Sequence, residues 1–124
     1  MDTEHRLVFI VEDDEAVRAS TRALLEASGY TVRDYASAEQ LLAVGNVAEA
    51  GCMVLDYNLP GMSGIELVES LRAQGNRTPA IIISSNGKQL IARAAKAEVA
   101  VVLRKPTAAD ALTQWLEQIF TKPR

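Results

Sequence analysis

The stretch CMVLDYNLPGMSG at residues 52–64 decides the fold, because it joins a buried strand to a helix through one short loop. Residues Cys52–Leu55 form a continuous apolar run that ends at Asp56, a pattern typical of a strand covered on both faces. A loop with proline and glycine follows at 57–63, and a helical pattern then runs over Gly64–Ala73. This stretch is therefore one strand-then-helix unit of a parallel sheet.

The same alternation extends outward in both directions and gives five strand-then-helix units. Gly29 and Gly75 stand where left-handed C-caps are expected, and the pairs Ser37 with Gln40 and Thr107 with Asp110 are typical of capping boxes. Strands that alternate with crossover helices predict an α/β fold, a doubly wound parallel sheet with helices on both faces. The predicted strands are Leu7–Val11, Thr31–Tyr35, Cys52–Leu55, Ala80–Ile83 and Val99–Leu103, and the predicted helices are Ala16–Ser28, 37–45, Gly64–Ala73, Lys88–Ala97 and 107–120.

Composition limits the kinds of function that the chain can have. Its 124 residues fit a single domain over 1–124 with a core from about 6 to 120, and a lone cysteine excludes an internal disulfide. The net charge is −3, without the basic cluster that tracks a phosphate backbone, so we expect no nucleic-acid binding by this chain. No apolar run approaches the length of a membrane span or of a signal-peptide core, so a cytoplasmic protein without membrane contact is predicted.

Polar residues follow four of the five predicted strands. Glu12 and Asp13 follow the first strand, and Asp56, Ser84 and Lys105 follow the third, fourth and fifth. Ligands of open α/β sheets bind beyond these carboxyl ends. Clustered carboxylates repel one another unless a cation lies among them, and Mg²⁺ prefers oxygen ligands. Such a site would make Asp56 a nucleophile toward a phosphoryl group, with Ser84 donating a hydrogen bond and Lys105 balancing charge.

Each of these residues also has a purely structural interpretation. Acids before a helix stabilise its N-terminus, which would explain Asp13, and Ser84 would serve equally well as a turn residue. Lys105 would be an ordinary surface lysine, and Tyr57 either shapes access to Asp56 or simply covers it.

At this point the chain resembles the receiver domain of two-component response regulators over nearly its whole length. The resemblance implies a flavodoxin-like sheet of five strands in the order 2-1-3-4-5, with five helices. The residues that carry it are Val11–Asp14, Leu55–Gly64, Pro79–Ser84 and Lys105–Pro106.

The resemblance implies a Mg²⁺-dependent phosphoacceptor, with Mn²⁺ as a substitute ion. Asp56 would accept a phosphoryl group from the phosphohistidine of a histidine kinase or phosphotransfer protein, or from acetyl phosphate. Asp13 and Asp56 would bind the metal directly, Glu12 through a water, and Asn58 through its backbone carbonyl. The chain would be an autocatalytic phosphoacceptor rather than a turnover enzyme.

The resemblance also assigns the residues around the phosphoryl group. Ser84 would be the switch hydroxyl, and Lys105 would contact the phosphoryl oxygens, aimed by a cis bond to Pro106. Asn58 and Asn86 fall where side chains tune dephosphorylation.

The sequence departs from the family pattern mainly around the predicted fourth helix and fifth strand. Val102 stands at the usual aromatic switch position, Glu98-Val99 replaces a common Gly-Ala, and Ser85 replaces a small residue that is usually Ala. The segment 87–106 is about one residue short. We therefore expect phosphorylation to switch contacts with an unidentified target through an atypical face of helix 4, strand 5 and helix 5, where a homodimer is also expected.

Three other functions compete with this interpretation. A pseudo-receiver would bind a partner regardless of phosphorylation, which the altered face favours and the intact site residues oppose. An aspartyl phosphatase would carry a second acid two residues after its nucleophile, where this chain has Asn58. Dinucleotide binding needs a glycine-rich turn after the first strand, where the chain has acids at 12–15.

Overall fold

The protein is built on a five-stranded parallel sheet, and the third strand of the chain lies at its centre. A computed structural model describes residues 6–85, 87–107 and 109–121. All pairings are parallel and the strand order is β2-β1-β3-β4-β5, which confirms the predicted fold. The strands are β1 Leu7–Val11, β2 Thr31–Tyr35, β3 Cys52–Asp56, β4 Ala80–Ser84 and β5 Val101–Arg104.

Helices cover both faces of this sheet, so side chains on both faces of β1 and β3 are buried. Helices α1 and α5 pack on one face, and α2, α3 and α4 pack on the other. Among the described residues, no helix combines the length and apolar character needed to cross a membrane. The helices are α1 Glu15–Ala27, α2 Ala38–Val44, α3 Gly64–Ala73, α4 Ile91–Lys96 and α5 Ala109–Thr121, with short 3-10 helices at Val47–Glu49 and Gly87–Leu90.

Side-chain caps explain where the first three helices begin. The Asp14 carboxylate accepts a hydrogen bond from the Val17 N–H at the start of α1. Ser37 caps α2 as predicted, but the Gln40 side chain accepts from Ala36 N–H instead of closing a box with Ser37. A complete capping box, which the sequence analysis did not mark, is made by Ser63 with Glu66 at the start of α3.

The fourth helix and fifth strand differ from the prediction. Residues 88–97 form the end of a 3-10 helix and the short α4 instead of one helix, and β5 begins at Val101 instead of Val99. Glu98 adopts the left-handed conformation with φ 61°, and the Val99 N–H donates to the Ala94 carbonyl at 2.9 Å. Residues 98 and 99 therefore complete the helix end and cannot join the strand. The predicted box of Thr107 with Asp110 spans residue 108, outside the described residues.

Arg72 at the end of α3 holds this helix end in place. Its guanidinium donates to the carbonyls of Ala97, Asn76 and Glu98 at 2.8, 3.1 and 3.2 Å. A left-handed conformation costs a non-glycine residue roughly 1–2 kcal/mol. The two hydrogen bonds from Arg72 to Ala97 and Glu98 offset that cost, because they fix the residues that precede the turn into β5.

We predict that Arg72→Met lowers the free energy of unfolding by about 2 kcal/mol, because part-buried carbonyls lose their donors. The matched control is Arg93→Met, which removes an exposed pair with Glu69 and should cost about 0.5 kcal/mol or less. Urea unfolding followed by circular dichroism measures both values. Equal losses in the two variants would contradict the anchoring role of Arg72.

Candidate functional site

Three carboxylates meet at the carboxyl ends of the neighbouring strands β1 and β3. Asp56 is the last residue of β3, and Glu12 and Asp13 directly follow β1, its hydrogen-bonded neighbour. One carboxylate oxygen from each of the three lies within 4.8 Å of the others. Asp56 and Glu12 are only 5% and 9% exposed, whereas Asp13 is open to solvent. The group therefore joins two desolvated acids to one hydrated acid.

Lys105 supplies a cation to this group from the end of β5. Its Nζ atom lies 3.0 Å from Asp56 Oδ1, which also accepts a hydrogen bond from the Asn58 N–H at 3.2 Å. The Lys105 N–H donates to the Ser84 carbonyl at 3.0 Å, so the loop after β5 is tied to the end of β4. Ser84 is fully buried, and the bond from Lys105 to Pro106 is cis.

The pKa of Glu12 is raised above its ordinary value, chiefly because burial disfavours its charged form. The negative charges of Asp56 and Asp13 act in the same direction. The Asp14 N–H, which donates to Glu12 Oε2 at 3.0 Å, and the charge of Lys105 oppose the shift. Ionised Glu12 therefore costs folding free energy in the metal-free protein.

The loop after Asp56 is held by contacts that the sequence analysis did not identify. Gly64 packs so closely that a Cβ atom there would lie 2.5 Å from the Asp56 carbonyl oxygen, so only glycine fits. The Glu39 carboxylate on α2 accepts a hydrogen bond from the Met62 N–H at 2.9 Å. The spacing of Gly64 after Asp56 was visible in the sequence, but nothing there links Glu39 to residue 62.

The acidic group opens into a cleft of about 770 Å³ between α1 and α5. Its polar lining includes the three carboxylates, Asn58 and Lys105. The cleft also has many apolar lining residues, so it offers both charged and apolar surface. Its apolar lining comes from both helices and the sheet and includes Ile10, Val17, Leu24, Val54, Ile83 and Leu112.

The structure brings most of the predicted site residues together. Glu12, Asp13, Asp56, Asn58, Lys105 and Pro106 all line the cleft, and Ser84 lies beside it at the end of β4. Val102 lies apart from them, half-buried against the core between the sheet and the helices α2, α3 and α4. Asn86 falls outside the described residues. Arg18, whose guanidinium contacts the Glu12 backbone, was not predicted from the sequence.

The chain matches the model of a known protein family. The family model for the response regulator receiver domain matches residues 8–117, nearly the whole chain. The chain belongs to the response regulator receiver family. Receiver domains of this family are components of two-component systems, so the fold and the family both stand as predicted.

Individual relatives support the same assignment. The transcriptional regulatory protein FixJ of Azorhizobium caulinodans is 39% identical over 100 residues, which is 80% of this chain and 47% of FixJ. The transcriptional regulatory protein DctD of Rhizobium meliloti is 34% identical over 118 residues, 94% of this chain and 26% of DctD. The chain thus spans about half the length of FixJ and a quarter of that of DctD.

Solved structures show the same similarity in three dimensions. The response regulator StyR matches with a TM-score of 0.86 at 38% identity, covering 93% of this chain and 59% of StyR. FixJ-N matches with a TM-score of 0.83 at 30% identity, covering 95% of each chain. The receiver part of these relatives is therefore the part that this chain resembles.

The raised pKa of Glu12 predicts how acidity affects stability. Folded Glu12 holds its proton at a higher pH than unfolded Glu12, so stability falls as the pH rises from near 4.5 through the folded pKa. We expect Glu12→Gln to increase the free energy of unfolding of the metal-free protein at neutral pH and to flatten its pH dependence.

Urea unfolding at several pH values, with a chelator present, measures this effect. The control is Glu15→Gln, which changes an exposed acid at the start of α1 and should not stabilise the protein. A Glu12→Gln variant less stable than wild type at neutral pH would contradict the prediction.

Proposed function

We propose that this receiver domain accepts a phosphoryl group on Asp56 and thereby switches its contacts with other proteins. The main support is the group of three carboxylates, one of which, Asp56, has its Oδ1 atom 3.0 Å from Lys105 Nζ. A buried carboxylate beside one lysine, opening into a cleft, provides both a nucleophile and a cation for a phosphoryl group.

Transfer places a new bond between an Asp56 carboxylate oxygen and phosphorus. With a phosphohistidine donor the phosphorus–nitrogen bond breaks, and the imidazole nitrogen takes the electron pair. The Asn58 N–H holds Asp56 Oδ1 and so orients the carboxylate before attack. The Lys105 side chain is flexible and 38% exposed, so its ammonium group follows the phosphoryl oxygens during transfer. The Lys105 backbone N–H stays hydrogen-bonded to the Ser84 carbonyl.

The same group fits a divalent metal. Mg²⁺ takes oxygen ligands and keeps several waters, which suits two buried carboxylates beside one that faces solvent. Asp13 and Asp56 would hold the ion directly, Glu12 through a water, and the Asn58 carbonyl would complete the protein ligands. When bound, Mg²⁺ (or Mn²⁺) neutralises charge on the transferring phosphoryl group.

Asn58 also supports the assignment of a switch rather than a hydrolase. It lines the cleft two residues after Asp56, where a second acid would activate water for attack on an aspartyl phosphate. An amide cannot act as that base. We therefore expect the phosphorylated form to last long enough to bind a partner, with the Asn58 side chain, and that of Asn86, tuning its lifetime.

The signal would leave through the face formed by α4, β5 and α5, in an atypical manner. Val102 on β5 carries no ring that could move between buried and exposed positions, and α4 has only six residues. Ser84, buried at the end of β4, would sense the phosphoryl group. A histidine kinase or phosphotransfer protein would be the donor, and either a target protein or a second copy would bind this face.

We predict that acetyl phosphate with Mg²⁺ adds the mass of one phosphoryl group to the intact protein, because Asp56 is the nucleophile. Asp56→Asn removes the nucleophile and should show no adduct, and a chelator should abolish the adduct on wild type. The matched control is Asp14→Asn, which keeps the side-chain cap of α1 and the three carboxylates and should be phosphorylated normally.

Phosphoramidate is a second donor, with a phosphorus–nitrogen bond. It tests phosphorylation of Asp56 in case the protein does not react with acetyl phosphate. An adduct that persists in Asp56→Asn would show that another residue is the phosphoacceptor. Absence of an adduct with either donor and with a histidine kinase would overturn the phosphoacceptor and leave a phosphorylation-independent binding module.

A further inference from the structure

Arg18, the fourth residue of α1, contacts the loop that follows β1. Its Nη1 atom donates to the Glu12 carbonyl oxygen at 2.8 Å, and its Nε atom lies 3.6 Å from Asp34 Oδ1 on β2. The side chain is only 19% exposed, so both contacts are shielded from water. Arg18 therefore joins the loop after β1 to the neighbouring strand.

Three groups of Glu12, its N–H, its carboxylate and its carbonyl, each make a hydrogen bond. Its N–H donates to the Tyr35 carbonyl at 3.1 Å, its carboxylate accepts from the Asp14 N–H, and its carbonyl accepts from Arg18. The Glu12 carbonyl shares one rigid peptide plane with the Asp13 N–H. A donor that fixes this carbonyl consequently fixes the direction in which the Asp13 backbone leaves β1.

We infer that Arg18 is a positioning residue for the metal site, acting through the Glu12–Asp13 peptide to hold the exposed Asp13 carboxylate beside Asp56. This inference rests on the proposed metal site of Glu12, Asp13 and Asp56. Asp13 is the member of that group most in need of support, since its side chain is open to solvent while the other two are buried.

Arg22 provides a matched comparison one helical turn away. It donates to the other oxygen of Asp34 at 2.8 Å and to Glu26 at 2.9 Å, so it shares the acid with Arg18. None of its described contacts is with Glu12. A variant of Arg22 therefore removes the same charge from the same helix face and leaves the Glu12 carbonyl bonded.

The experiment is a calorimetric titration of the metal-free protein with Mg²⁺, comparing wild type with Arg18→Met and Arg22→Met. Methionine keeps an unbranched stem and a good helix propensity while removing every donor. We expect the Mg²⁺ dissociation constant to rise about tenfold or more in Arg18→Met, as when outer partners of metal ligands are removed, and to change less than about twofold in Arg22→Met.

Two further readouts separate positioning from general loss of structure. The carbonyl ¹³C resonance of Glu12 in the metal-free protein should shift in Arg18→Met and stay in place in Arg22→Met. In phosphorylation by acetyl phosphate, Arg18→Met should raise the half-saturating Mg²⁺ concentration and approach the wild-type rate at saturation. Arg18→Gln is a second variant, because the glutamine side chain is too short to reach the Glu12 carbonyl. It should show the same rise in the half-saturating Mg²⁺ concentration.

The outcomes distinguish this inference from the proposed function. Wild type that binds no Mg²⁺ would overturn the metal site itself. Wild type that binds Mg²⁺ with unchanged affinity in Arg18→Met, or with equal loss in Arg22→Met, would overturn the role of Arg18 alone. A lower rate at saturating Mg²⁺ with an unchanged half-saturating concentration would also count against positioning.

Discussion

The electrostatic balance between three carboxylates and Lys105 governs the carboxyl edge of the sheet. Two unit charges 4.8 Å apart repel by roughly 3 kcal/mol at an effective dielectric constant of about 20. Two of the three acids are buried, and burial adds a desolvation cost that raises the pKa of Glu12. Lys105 offsets part of this repulsion at Asp56, and the proposed divalent cation would offset the rest.

Apolar packing in the rest of the fold offsets the free-energy cost of the clustered charges at this edge of the sheet. The strands β1 and β3 are buried on both faces, and their apolar side chains anchor Glu12 and Asp56 at fixed positions in adjacent strands. Backbone hydrogen bonds then set the loops, from Asn58 to Asp56, from Met62 to Glu39 and from Lys105 to Ser84. Each of these hydrogen bonds fixes a loop beside the site to a strand or a helix.

Regular patterns in the sequence predicted the parts of the fold that depend on local order. The strands β1 and β3 and the helix α3 were predicted because short apolar runs and helical spacing can be recognised without knowing any distant contact. The prediction was wrong at α4 and β5, where Glu98 adopts a left-handed conformation and Arg72 secures the turn from a helix far away in the sequence. The capping box of Ser63 with Glu66 was present in the sequence and was overlooked.

The sequence by itself determined the strand-helix alternation, the strand ends at which Glu12, Asp13, Asp56, Ser84 and Lys105 stand, and the family resemblance that relates them. Apolar periodicity and residue order encode these features directly. Only the tertiary structure decided which groups touch: the 3.0 Å contact of Lys105 with Asp56, the cleft between α1 and α5, and the bond from Arg18 to Glu12. Such contacts depend on crossover geometry and side-chain reach, which are properties of the packed chain and leave no periodic mark in the sequence.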